Sequence, residues 1–95
     1  MTLDKTPRYN RTVKKIIKAH KLTKELIEDT ENLFVNNPSE PSLNYKTITC
    51  KKDKNSHSIR VAKTGYRILM TVLDDVAYLV ALLDHDEYQK NNRDC

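Results

Sequence analysis

The sequence predicts an α+β domain in which an N-terminal helical hairpin packs on one face of a small, mostly antiparallel β-sheet. Three observations lead there. Apolar residues recur at helical spacing in two stretches within residues 1–36. From residue 44 the pattern changes to short runs rich in β-branched and aromatic residues, separated by turn formers. The last run, Val76 to Leu83, is apolar on both faces, as a strand covered from both sides must be. The expected order is β-α-α-β-β-β with an optional further strand, in a single domain of 95 residues.

Thr2 to Lys5 form a short edge strand in this scheme. Thr6-Pro7 reads as an N-cap followed by proline at the first helical position, where its missing N–H costs nothing. Tyr9, Val13, Ile16, Ile17 and His20 then make one stripe, ringed by Arg11, Lys14, Lys15 and Lys18. His20 reads first as a helix-ending histidine at the negative end of the dipole, and second as a functional group. Thr23 caps the next helix, with Leu22 and Ile27 placed for a hydrophobic staple. Leu26, Ile27, Thr30, Leu33 and Phe34 form its buried stripe, Lys24 and Glu28 pair outside, and Asn36-Asn37-Pro38 stops it. The short connection makes the two helices antiparallel.

Residues 37–43 read as a loop, and Tyr45 to Lys51 as a strand with Ile48 and Cys50 on one side. A charged turn, Lys51 to Asn55, precedes two strands, Ser58 to Ala62 and Tyr66 to Val72, joined by a hairpin in which Gly65 supplies a positive φ. Alternation puts Tyr66, Ile68, Met70 and Val72 on the helix-facing side and Arg67, Leu69 and Thr71 on the other. Asp74-Asp75 turns the chain into Val76 to Leu83, whose far face is covered by the chain's own ending. Residues 44–88 thus hold the sheet and a segment with chemistry, and residues 89–95 are a tail.

The net charge of +4 conceals a segregation. Met1 to Lys21 and Tyr45 to Val72 each carry seven basic residues against one acid, whereas the ending gathers Asp74, Asp75, Asp84, Asp86 and Glu87. Such a surface suits a polyanion or an acidic protein, or is simply a solvated face. No apolar run has membrane-spanning length and no signal sequence opens the chain, so a soluble cytoplasmic protein is expected. Cys50 and Cys95 are no disulfide framework, and without a C-x-x-C pair no metal or other cofactor is expected.

The runs Ile59-Arg60-Val61, Gly65-Tyr66-Arg67-Ile68-Leu69 and His85-Asp86-Glu87-Tyr88, in this order after a basic helical hairpin, resemble the RelE/ParE superfamily of bacterial toxins. The resemblance implies a metal-independent messenger RNA endoribonuclease, acting on the ribosome and silenced by a cognate antitoxin. It assigns catalysis to Arg67, His85 and Tyr88, and substrate positioning to Arg60. Lys63, Lys51 and Lys52 extend the basic surface as substrate contacts. Two departures stand out. Ser58 occupies a place where the RelE branch tends to carry a basic residue, and Asp84, Asp86 and Glu87 surround His85, where carboxylates repel phosphate.

The chemistry agrees with those roles. Cleaving RNA without metal requires a group to take the 2′-OH proton, a group to protonate the leaving 5′-oxygen, and cations on the phosphorane. Histidine exchanges protons near neutral pH, and arginine offers a permanently charged fork to phosphate oxygens. Other readings stay open: Arg67 paired with Asp84 or Asp86 along the sheet edge, Arg60 and His85 as solvated surface residues, Tyr88 as packing. The same fold also serves a ParE-like gyrase inhibitor or a non-catalytic binding module, although neither needs a proton donor.

Overall fold

The computed structural model describes residues 1–95. Its elements are β1 (Thr2–Lys5), α1 (Pro7–Lys18), α2 (Lys24–Asn36), β2 (Lys46–Thr47), β3 (Ser56–Arg60), β4 (Arg67–Leu73), β5 (Val76–Leu83) and α3 (His85–Arg93), with one 3₁₀ turn at Pro41–Leu43. The five strands form one sheet in the order β1-β5-β4-β3-β2. Only the β1–β5 pair is parallel; the rest are antiparallel. The α+β class and the mostly antiparallel sheet are as the sequence predicts.

The helix starts obey local chemistry. Thr6 Oγ1 accepts from the Tyr9 N–H at 3.2 Å and Thr23 Oγ1 from the Leu26 N–H at 3.1 Å, so each helix opens on a satisfied cap with Pro7 at the first position of α1. Helix α1 ends on a Schellman motif. The His20 N–H reaches the Ile17 carbonyl and the Lys21 N–H that of Ile16, while His20 itself turns left-handed at φ 58°. His20 is therefore the helix-ending residue, held there by its backbone.

Two apolar clusters sandwich the sheet. On the helix side Tyr9, Ile16, Ile27, Phe34, Ile59, Ile68, Met70, Leu79 and Leu82 are buried together. On the other face Ile48, Cys50, Leu69, Ala81, Leu83 and Tyr88 pack beneath α3. Alternation along β4 is as predicted, with Ile68 and Met70 toward the helices and Arg67 and Leu69 away. A register shift opposite Leu69/Met70 accommodates Val80, so Val80 and Ala81 both turn toward the α3 side. Val76–Leu83 has the expected boundaries, and its far cover is the chain's ending.

Several expectations are corrected. The ending is not an irregular segment and a tail at residues 89–95 but helix α3, opened by a capping box: the Glu87 N–H bonds Asp84 Oδ1 at 2.8 Å and the Asp84 N–H bonds Glu87 Oε1 at 3.1 Å. Cys50 and Cys95, read as unpaired, form a disulfide that pins the end of α3 to the segment after β2. The strand expected from Tyr45 to Lys51 pairs over only two residues, although the Ile48 N–H still bonds the Ser56 carbonyl and Ile48 and Cys50 face the core. Gly65 has no positive φ; Ala62 takes the left-handed conformation at φ 48° instead. The reversal there is organised by Thr64, whose hydroxyl donates to the Val61 carbonyl and accepts from the Tyr66 N–H. In α2 the buried stripe includes Glu31, whereas Leu33 is exposed. Glu31 is buried because Tyr9 Oη donates to it at 2.6 Å and Lys5 Nζ lies 3.1 Å away.

Candidate active site

Arg60 and Arg67 are direct partners in the antiparallel β3–β4 ladder, so both project from the face opposite the helical hairpin. The start of α3 crosses the same end of the sheet. His85 and Tyr88 stand three residues apart, one helical turn, and so share a side of α3. All four line one cleft of about 220 Å³, completed by Asn44, Lys46 and Gln89. The sequence motifs therefore converge in space through a strand pairing and a helical turn.

Arg67 is the centre of the cleft's polar network. It is 7 % exposed. Its Nε donates to Ser58 Oγ at 3.0 Å, and its Nη2 donates to the Asn44 carbonyl at 2.6 Å and the Ser58 carbonyl at 3.3 Å. Its guanidinium carbon lies 5.2 Å from the centre of the Tyr88 ring, within cation–π range. No carboxylate pairs with it: the ion pairs of the molecule are Lys5–Glu31 and Lys24–Glu28. The edge pairing with Asp84 or Asp86 is absent. Burial lowers the guanidinium's affinity for its proton, Tyr88 opposes that, and Arg60 adds to it; an arginine remains charged regardless. Nη1 has no partner in the chain and is not sealed from solvent. The protein thus buries a cation beside a second cation and supplies neither with an acid.

The remaining groups are held less tightly. Tyr88 is buried, with its hydroxyl 2.8 Å from Ser58 Oγ. Arg60 is exposed, and its Nε donates to the Thr64 carbonyl at 3.1 Å. His85 is the exposed first residue of α3, and a Cβ added at Gly65 would stand 3.6 Å from its own. The carboxylates around His85 are largely committed, since Asp84 and Glu87 satisfy backbone donors at the helix start.

The structure does not bring Lys51, Lys52 and Lys63 into the cleft. Lys51 and Lys52 are exposed on the β2–β3 turn, and Lys63 lines a separate hollow with Leu26 and Leu43. Lys46 is the lysine that the cleft does hold. Ser58, Asn44 and Gln89 were missed as well. For Ser58 a signal existed, because it stands two residues before Arg60 on the same strand and so on the same face. A larger groove of about 530 Å³ runs between α1 and α2. It holds no histidine, and both its glutamates are already paired with lysines. Nowhere do three histidine, cysteine, aspartate or glutamate side chains gather as metal ligands.

The fold is that of the small RelE-like toxins. The structure superposes on YafQ from Escherichia coli with a TM-score of 0.73 at 13 % identity, covering 88 % of this chain and 92 % of that one. YafQ in the E. coli DinJ–YafQ toxin–antitoxin complex gives a TM-score of 0.73 at 14 % identity, over 88 % of this chain and 91 % of the other. A copper-bound mutant toxin from Helicobacter pylori gives 0.72 at 15 % identity, over 92 % and 97 % of the two chains. No protein-family model matches the sequence, and no curated protein sequence does. At these identities the likeness establishes the architecture.

Proposed function

We propose that this chain is the toxin of a toxin–antitoxin pair and acts as a metal-independent endoribonuclease on messenger RNA at the ribosome, in the cytoplasm. The observation that carries the reading is Arg67: a buried guanidinium, beside Arg60, with no carboxylate partner and with Nη1 open. Burying a charge is costly unless a counter-charge accompanies it, and a cleft that withholds the acid is built to receive an anion. A toxin of the same architecture complexed with its antitoxin supports the partner, and the cationic cleft supports a phosphodiester substrate.

In the mechanism that fits, Arg67 offers Nη1 to the scissile phosphate, whose charge grows as the 2′-oxygen attacks phosphorus. Arg60 and Lys46 hold the flanking phosphates. His85, free at the mouth of the cleft, takes the 2′-OH proton. The P–O5′ bond breaks as Tyr88 protonates the departing oxygen, leaving a 2′,3′-cyclic phosphate and a 5′-hydroxyl. An antitoxin segment with acidic side chains silences the protein by covering the cleft and giving Arg67 the carboxylate it lacks.

Mapping RNA 5′ ends after induction in a bacterial host, beside an Arg67→Ala control, tests the reading. The expected result is new cleavage within reading frames, with a rate in vitro about 10²–10³-fold lower for the variant. Growth arrest with intact messenger RNA and damaged DNA would overturn the nuclease assignment in favour of gyrase inhibition. An antitoxin complex that still cleaves RNA would overturn the silencing model.

A further inference from the structure

Ser58 sits beneath the cleft, behind Arg67 and Tyr88, with no exposed surface, and its hydroxyl is shared between those two groups. Arg67 Nε lies 3.0 Å from Ser58 Oγ and Tyr88 Oη lies 2.8 Å from it. A third contact runs through the backbone, where the Ser58 carbonyl accepts from Arg67 Nη2. Register explains the convergence: Ser58 pairs with Lys46 on β2 and with Leu69 on β4, one same-face step from the Arg60–Arg67 pair.

Hydrogen accounting limits the ways in which the Ser58–Tyr88 bond can run. A serine hydroxyl has one hydrogen and two lone pairs, and a guanidinium can only donate. Arg67 Nε–H therefore occupies one lone pair of Ser58 Oγ. If Tyr88 donated into the second, the Ser58 hydrogen would have to find another acceptor in a fully buried site, and Ser58 Oγ has no third partner. With Ser58 donating to Tyr88 Oη, the hydrogen left without a protein partner is the phenolic one, on the residue of the pair that lines the cleft. The phenolic hydrogen is then not spent inside the protein and is free to point into the cleft.

We infer that Ser58 is a positioning residue that locks the Arg67 fork with Nη1 toward the phosphate and turns the Tyr88 hydroxyl outward as the proton donor to the leaving 5′-oxygen. This rests on the ribonuclease reading and deepens it. The balance is simple. The O2′–P bond forms and the P–O5′ bond breaks; the 2′-OH proton goes to His85 and the Tyr88 proton to O5′, and water restores both groups.

The test is a double-mutant cycle on RNA cleavage by the full chain, with KM and kcat measured separately and folding followed by thermal melting. Ser58→Ala is expected to lower kcat by about 10–100-fold with KM little changed, because the substrate's flanking contacts remain while the reacting groups lose their geometry. In a Tyr88→Phe background the same substitution is expected to cost several-fold less than in the parent, since the hydroxyl it orients is gone and only its hold on Arg67 remains. Ser58→Cys keeps the shape but donates weakly, and it is expected to fold like the parent and show most of the kcat loss. Ser58→Thr, which restores a hydroxyl, is expected to recover it. Equal kcat for the parent, Ser58→Ala and Ser58→Cys would overturn the inference alone, as would full additivity with Tyr88→Phe. A parent protein that leaves RNA intact, on and off the ribosome, would overturn both the inference and the reading beneath it.

Discussion

Breaking the Cys50–Cys95 bond is expected to remove a large share of the fold's stability and to loosen the cleft. The two cysteines are 45 residues apart in sequence. Chain-entropy arithmetic for closing a loop of that length gives about 4 kcal/mol, a substantial part of the roughly 5–15 kcal/mol typical of a domain. For a chain of this size that corresponds to a drop in Tm on the order of 15–30 °C. Function should follow, because the bond joins the two segments flanking the site. The segment running from Asn44 through Lys46 to Cys50 supplies the carbonyl that holds Arg67, and α3 carries His85 and Tyr88. The check is thermal melting and RNA cleavage with and without dithiothreitol, alongside Cys95→Ser. Melting temperatures within about 2 °C in both states, with equal cleavage rates, would refute the reasoning. A reducing cytoplasm keeps such pairs as thiols, so cleavage under reducing conditions is expected to persist at a lower rate, from a less stable form, than under oxidising ones.

Two further outcomes follow from buried groups and backbone geometry. Burial pushes the Tyr9 phenol far above its ordinary range, and the hydrogen bond and charge of Glu31 push the same way. The unfolded chain therefore ionises this phenol first. The stability it confers is complete below about pH 10 and falls above it by about 1.4 kcal/mol per pH unit, until the folded phenol also titrates. Tyr9→Phe should lower stability at neutral pH by about 1.5–3 kcal/mol, through the lost bond to a charged group, and flatten the alkaline decline, as read by urea titrations at several pH values. An unchanged alkaline slope would refute it. Ala62→Gly should stabilise the fold by up to about 1 kcal/mol, because a non-glycine residue is strained at φ 48°; a loss in the same denaturation assay would show that the loop tolerates the strain.

What could be read from the sequence was whatever local pattern determines. Thr6 and Thr23 sit where caps belong, and Val76–Leu83 is apolar on both faces because it lies under α1 on one side and α3 on the other. The spacing of His85 and Tyr88 is one helical turn, so the motif survived even though the helix that carries it went unpredicted. Helix α3 escaped notice because Tyr88 is its one buried residue, leaving no stripe to detect; the Asp84-x-x-Glu87 capping box was the available signal. Glu31 was misjudged for another reason. A carboxylate inside an apolar stripe makes sense only once Tyr9 and Lys5 arrive from elements far away in the chain. The disulfide and the burial of Arg67 likewise depend on distant partners, and so does the exclusion of Lys51, Lys52 and Lys63 from the cleft.

The parallel pairing of β1 with β5 has a consequence for how the protein is made. Within these residues the earliest strand in the chain, β1, has as its partner the latest, β5, with Thr2 beside Val76 and Lys5 beside Leu79. Helix α1 waits too, for its Thr6 and Thr12 hydroxyls bond to Leu79 and Leu82 of that same strand. Until β5 emerges, α1 and α2 carry their apolar stripes without the sheet that covers them, a condition that slows folding and invites association with other chains. The cleft, assembled from β3, β4 and α3, is completed later still. A nascent copy is therefore incomplete at the cleft until α3 has left the ribosome.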